Sequence, residues 1–90
     1  MSVKINIPSY LMPYTDDAEA VETDGSTVGQ CIDNLIKQFP GLKKMVFDKK
    51  GNLLDYVSIY ADGDFVYGDG LTRPVKDGDE LHLFYVIGGG

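Results

Sequence analysis

The stretch TVGQCIDNLIKQFPG limits what this chain can fold into more than any other. Val28, Cys31, Ile32, Leu35, Ile36 and Phe39 recur at i, i+3, i+4, i+7, i+8 and i+11, one face of an amphipathic helix. Thr27 is the expected N-cap, with Gln30 three residues on as the second half of a capping box, and Pro40-Gly41 stops the helix. One helix with one apolar face needs a sheet or another helix to cover it. The flanks supply strands.

Before the helix, Val3, Ile5 and Ile7 alternate with Lys4 and Asn6 as in a half-buried strand ended by Pro8. YLMPYTDD reads as a turn, and AEAVETDG as a second strand closing a hairpin. After the helix, residues 41–46 fit a short helical turn and DKKGN a loop. In DYVSIYADG, Val57 and Ile59 alternate with Ser58 and Tyr60, and Asp62-Gly63 turns the chain into a short return strand, DFVYG. GDGLTRPVKDGDE is rich in turn residues, and LHLFYV is the last strand. The order is two strands, a helix, then three strands. It predicts a compact α+β domain in which a mixed sheet of about four to five strands carries one main helix. The leading arrangement is the ubiquitin-like β-grasp, with the first and last strands parallel neighbours.

The 90 residues suffice for one small domain. A net charge of -6 argues against nucleic acid, whose phosphates need a basic surface, and favours a basic protein partner. One cysteine allows no internal disulfide, which suits a reducing compartment. MSVKINIPSY lacks the charged and apolar regions of a signal peptide. The longest apolar run, LFYVI, falls far short of the ~18 residues of a membrane span. A cytoplasmic protein with no membrane partner is expected.

Chemistry of the chain's own is hard to find. Cys31 lies on the apolar helix face and reads as an inert core thiol. His82 has no partner at ligand spacing, so a zinc site is not expected. Asp62-Gly63-Asp64 starts like a calcium loop, but Val66 stands at the next ligand position, and Asp77-Gly78-Asp79 reads better as a turn. No GxxxxGK[ST] phosphate loop is present. The expectation is a non-enzyme with no bound metal or cofactor. The last strand carries more information. Its alternation puts Leu81, Leu83 and Tyr85 on one face, and His82, Phe84 and Val86 on the other. With the first set on the helix, Phe84 and Val86 with the adjoining Ile87 form an apolar docking patch, followed directly by Gly88, Gly89 and Gly90.

The segment Asp77-Gly78-Asp79-Glu80-Leu81, a strand, and Val86-Ile87-Gly88-Gly89-Gly90 resemble the C-terminal signature of the MoaD/ThiS sulfur-carrier family. The opening strand ending at Pro8, the Thr27-capped helix and VSIYADGD extend the likeness over most of the chain. The resemblance implies a β-grasp domain over residues 1–87 and a flexible tail over 88–90. It implies that the Gly90 carboxylate is adenylated by an E1-like adenylyltransferase, which uses ATP, and is then converted to a thiocarboxylate. The sulfur would pass to a biosynthetic enzyme, and the free carrier would be a monomer. Glycine suits such a tail because side chains would block a narrow channel. Three extended residues at ~3.3–3.6 Å each reach roughly 10 Å beyond the strand. Gly88 stands where the family commonly has another residue, which leaves Gly89-Gly90 intact. The IPSYLMPYT opening and the GDGLTRPV insertion are most similar to carriers serving cysteine or related amino-acid synthesis. The small subunit of molybdopterin synthase, and a ubiquitin-like modifier forming isopeptide bonds, are the alternatives.

Overall fold

The computed structural model describes residues 2–61, 63–66 and 68–85. Strand β1 (Ser2–Asn6) buries Val3 and Ile5 and exposes Lys4, as its alternation requires. Ile7 is also buried but lies beyond the strand, its amide donating to the Glu19 carbonyl at 2.9 Å. YLMPYTDD is more than a turn. Ser9–Tyr14 winds into a 3-10 segment that drives Leu11 into the core, fully enclosed. The buried Thr15 closes it, its hydroxyl facing the Met12 and Ala18 carbonyls at 3.3 and 3.1 Å. Strand β2 (Ala20–Asp24) then returns antiparallel to β1, Val21 opposite Ile5 and Thr23 opposite Val3.

Helix α1 (Val28–Gln38) starts as the sequence predicts, with the Thr27 hydroxyl accepting from the Gln30 amide at 3.1 Å. The second half of the capping box is displaced by one residue: the Gln30 side-chain oxygen Oε1 accepts from the backbone amide of Ser26, at 2.9 Å, instead of that of Thr27. The helix entry is also held from the side. Val28 N–H donates to the Arg73 carbonyl and Val75 N–H to that of Ser26. Val28, Cys31, Ile32 and Leu35 are fully enclosed, whereas Ile36 and Phe39, expected in the same buried set, are only partly covered at the core's margin. The side chains of Asn34 and Gln38 donate to the Asp24 and Glu22 carbonyls and fasten α1 to β2. Past Phe39 the 3-10 segment Pro40–Leu42 leads into the short helix α2 (Lys43–Val46), which buries Leu42 and Val46.

The chain then enters β3 (Val57–Ala61), turns through Gly63 and returns as β4 (Asp64–Val66). Gly63 has φ +86°, in the left-handed region where glycine carries no Cβ penalty; Asp62, its expected partner in the turn, lies outside the described residues. A 3-10 segment, Gly68–Thr72, precedes β5 (Glu80–Tyr85). The sheet order is β2-β1-β5-β3-β4, with β1 and β5 parallel and the other neighbours antiparallel. Five strands with α1 across one face make the predicted ubiquitin-like β-grasp. Among the described residues, no helix is long and apolar enough to cross a membrane.

Candidate functional site

The face of the sheet turned away from α1 carries a cluster of rings, and strand register explains why they meet. Tyr60 on β3 pairs with Phe65 on β4 and with His82 on β5. Cross-strand partners lie on the same face, so the three rings stand in a row. Phe84, two residues after His82, joins from the same face of β5 opposite the small Ser58, which leaves room above β3. Tyr60 lies edge-on to Phe65 with centroids at 5.1 Å, Phe84 stacks on His82 at 6.1 Å, and Phe65 and Phe84 reach across β3 to 6.2 Å. Phe65 and Phe84 remain 48% and 42% exposed. Exposed large aromatics gathered in one place mark a contact surface more than scattered surface apolarity does. Charges border the cluster. Glu80 approaches both His82 and Lys4 at 3.8 Å, and Asp64 pairs with Arg73 at 3.5 Å.

The opposite face of the same strand end is also aromatic. Tyr85 follows the inward alternation of Leu81 and Leu83 but is only partly buried. Its ring stacks on Tyr10 at 5.2 Å and meets Tyr56 edge-on at 5.4 Å, and its hydroxyl donates to the Met45 carbonyl of α2. Burial, followed by the neighbouring Tyr56, Tyr14 and Tyr10, pushes the Tyr85 phenol up, so it stays protonated and able to donate. This bond ties the end of β5 to the helical layer. The chain therefore reaches its last segment from a strand end that is flanked by rings on both faces and anchored at Tyr85.

Residues 5–90 match the ThiS family. The chain belongs to that family. It is 31% identical over 93 aligned residues to the sulfur carrier protein CysO of Mycobacterium tuberculosis, with all of both chains covered. It is 35% identical over 71 residues to small archaeal modifier protein 1 of Haloferax volcanii, covering 78% of each chain. The crystal structure of the Amycolatopsis orientalis BexX/CysO complex matches with a TM-score of 0.86 at 30% identity, covering 98% of this chain and 99% of that one.

Of the docking residues read from the sequence, Phe84 stands exposed on the outer face, as alternation requires. Val86, Ile87 and the glycines Gly88, Gly89 and Gly90 lie outside the described residues. Tyr60 and Phe65 were not singled out from sequence. The signal was present in the hairpin: a turn at Asp62-Gly63 sets Ala61 against Asp64, and therefore Tyr60 against Phe65. Among the described residues, no three His, Cys, Asp or Glu side chains form a metal-binding group.

Cys31 lies on the buried face of α1 and is fully enclosed. Burial pushes its thiol up, against a smaller opposing effect of the Thr23 side chain, which keeps sulfur in the poorly nucleophilic thiol form. Cys31→Ala is therefore expected to keep sulfur-carrier function and to lower stability by about 1 kcal/mol. Thiocarboxylate formation and thermal unfolding, measured on the same preparation, test this. A folded Cys31→Ala protein that accepts no sulfur would place the cysteine on the sulfur route.

Proposed function

We propose that this chain is a sulfur carrier whose Gly90 carboxylate is the reactive group. A carboxylate is a poor electrophile. Attack of its oxygen on the α-phosphorus of ATP, in the active site of an E1-like adenylyltransferase, expels pyrophosphate and leaves an acyl-adenylate. A sulfur nucleophile at the oxidation level of hydrosulfide then adds to the carbonyl, AMP departs with the C–O electron pair, and a thiocarboxylate remains. The carrier's part is to be held by the partner and to extend a narrow terminus into its ATP site. ATP and the activating groups belong to that partner, and a second, sulfur-accepting enzyme consumes the product. The alignment with CysO over the whole chain supports cysteine or a related amino acid as the destination.

The observation that carries this reading is the ring cluster of Tyr60, Phe65, His82 and Phe84 on β3, β4 and β5, with Phe65 and Phe84 exposed, β5 being the last strand before the glycines in sequence. A protein that must present its terminus to another active site needs a rigid handhold close to it along the chain, and β5 carries Phe84 shortly before Gly90 in sequence. The net charge of -6 adds long-range attraction to a basic partner surface. Phe84→Ala is expected to weaken binding of the adenylating partner by roughly 1–3 kcal/mol while the fold persists, because the ring is 42% exposed. Calorimetric titration with that partner, alongside a thermal melt, gives both numbers. Unchanged affinity in a folded protein would remove the ring cluster from the docking surface.

The likeness to small archaeal modifier protein 1 favours a second use of the same activated terminus. Attack by a lysine amine in place of sulfur would give an isopeptide bond. The products differ by mass: thiocarboxylate exchanges one oxygen for sulfur, whereas conjugation adds the whole chain to a target.

A further inference from the structure

On the helical side of the molecule, α2 and the loop that follows it enclose an open groove of about 800 Å³. Lys43 and Lys44 on α2 and Lys49 and Lys50 on the loop line it, with Phe47 and Asp48 between them. These four are half of the chain's eight cationic side chains, gathered at one place in a protein that carries 14 acidic residues. The local field therefore opposes the sign of the net charge. Among the described residues, the ion pairs formed by cations involve Lys4, Arg73 and His82, and none of the four groove lysines. Asp48, the acid within the groove, turns its carboxylate onto the loop itself, with Oδ1 accepting from the amides of Lys50 at 2.8 Å and Asn52 at 3.0 Å. Gly51 at φ +86° completes that tight loop and donates to the Asp48 carbonyl. The loop is thus fixed, and its lysines are left for another molecule.

We infer that this groove docks an acidic peptide segment of a partner protein, one with an apolar side chain among its carboxylates. Phe47 is partly buried against the core and gives the groove an apolar lining that a small inorganic anion would not use. A second depression of about 340 Å³ shares Lys43, Phe47 and Gly51 and continues past Asp33 to Leu71, so the surface is elongated, as an extended peptide requires, with the peptide's carboxylates held at the lysine end and its apolar side chain towards Phe47 and Leu71. A net charge of -6 repels a long polyanion such as nucleic acid, whereas a short acidic segment feels mainly the lysines within a Debye length of ~8 Å. The groove lies on the helical side of the sheet and the ring cluster on the other. The two can therefore be occupied together, which would let one protein hold the carrier while another works on its terminus. The inference does not depend on adenylation of Gly90.

The test is an NMR titration of the full chain with peptides carrying one leucine or phenylalanine between glutamates, compared with their glutamine analogues, a polyphosphate and an oligonucleotide. Shifts are expected in residues 43–51, with affinity falling about tenfold or more for the glutamine analogues and for Lys43→Glu/Lys44→Glu or Lys49→Glu/Lys50→Glu proteins, and unchanged by Phe84→Ala. All four lysines are exposed, so thermal midpoints should stay near that of the parent chain. No shift at millimolar peptide, shifts centred on the ring cluster, or equal binding of the glutamine analogues would overturn the proposal. Binding of polyphosphate or oligonucleotide as tight as that of the acidic peptides would overturn it too, by showing a general anion site.

Discussion

Ile32→Ala and Leu35→Ala are each expected to destabilise the fold by roughly 2–5 kcal/mol, the cost of removing a large apolar side chain from a site that cannot fully collapse. Both residues are fully enclosed beneath the sheet, Ile32 and Leu35 being adjacent turns of the same helical face. Domains of this kind hold only about 5–15 kcal/mol in total, so either change removes a large share. Urea denaturation should show an earlier midpoint with an unchanged slope, since the surface exposed on unfolding hardly differs. Phe39→Ala should cost less, because Phe39 is only partly covered. Equal midpoints for Ile32→Ala, Leu35→Ala and the parent chain would mean that another face of α1 meets the sheet.

The difference between Leu35 and Phe39 also shows how far periodicity carries. The helical repeat identifies the face of α1, but it does not say where the sheet beneath ends, and Ile36 and Phe39 run past that edge. The cap at Thr27 was legible because it depends on neighbours in sequence; the shift of Gln30 to Ser26 accompanies pairing with residues 73–75, far along the chain. Leu11 was missed as core because a single buried residue in a 3-10 segment has no periodic partner to announce it. The parallel pairing of β1 with β5 was the leading arrangement for this order of elements but was not fixed by it, since alternation within a strand says nothing of its neighbour. Phe84 could be placed outward from alternation alone. Tyr60 and Phe65 needed the neighbour relations of β3, β4 and β5. The lysine groove is more remote still, because Lys43-Lys44 and Lys49-Lys50 meet around one hollow only when α2 and its loop have folded.

Loss of Gly90 is expected to abolish sulfur loading altogether while the domain stays folded. The domain's stability rests on the cluster of α1 and the inner sheet face, from Val3 to Leu83. In the proposed reaction the carboxylate has to lie at a set distance from the docked ring cluster, and an extended chain shortens by about 3.3–3.6 Å with each residue removed. A carbonyl displaced that far no longer meets the α-phosphate of ATP in line. One residue added after Gly90 should fail in the same way, by moving the carboxylate and placing a side chain in a channel suited to glycine. Gly89→Ala should impair loading more than Gly88→Ala, since position 89 adjoins the reacting carbonyl. Thermal unfolding of each variant at the parent midpoint would confirm that only the reactive end has changed.

The most direct measurement is intact-mass analysis after incubation with a cognate adenylating enzyme, ATP and a sulfide source, run in parallel on the full chain and on a chain ending at Gly89. A sulfur carrier acting through Gly90 gives complete exchange of one oxygen for sulfur in the full chain, reversed by the sulfur-accepting enzyme, and none in the shortened one. Equal sulfur gain by both chains, or no gain by the full chain while ATP is consumed, would contradict the account.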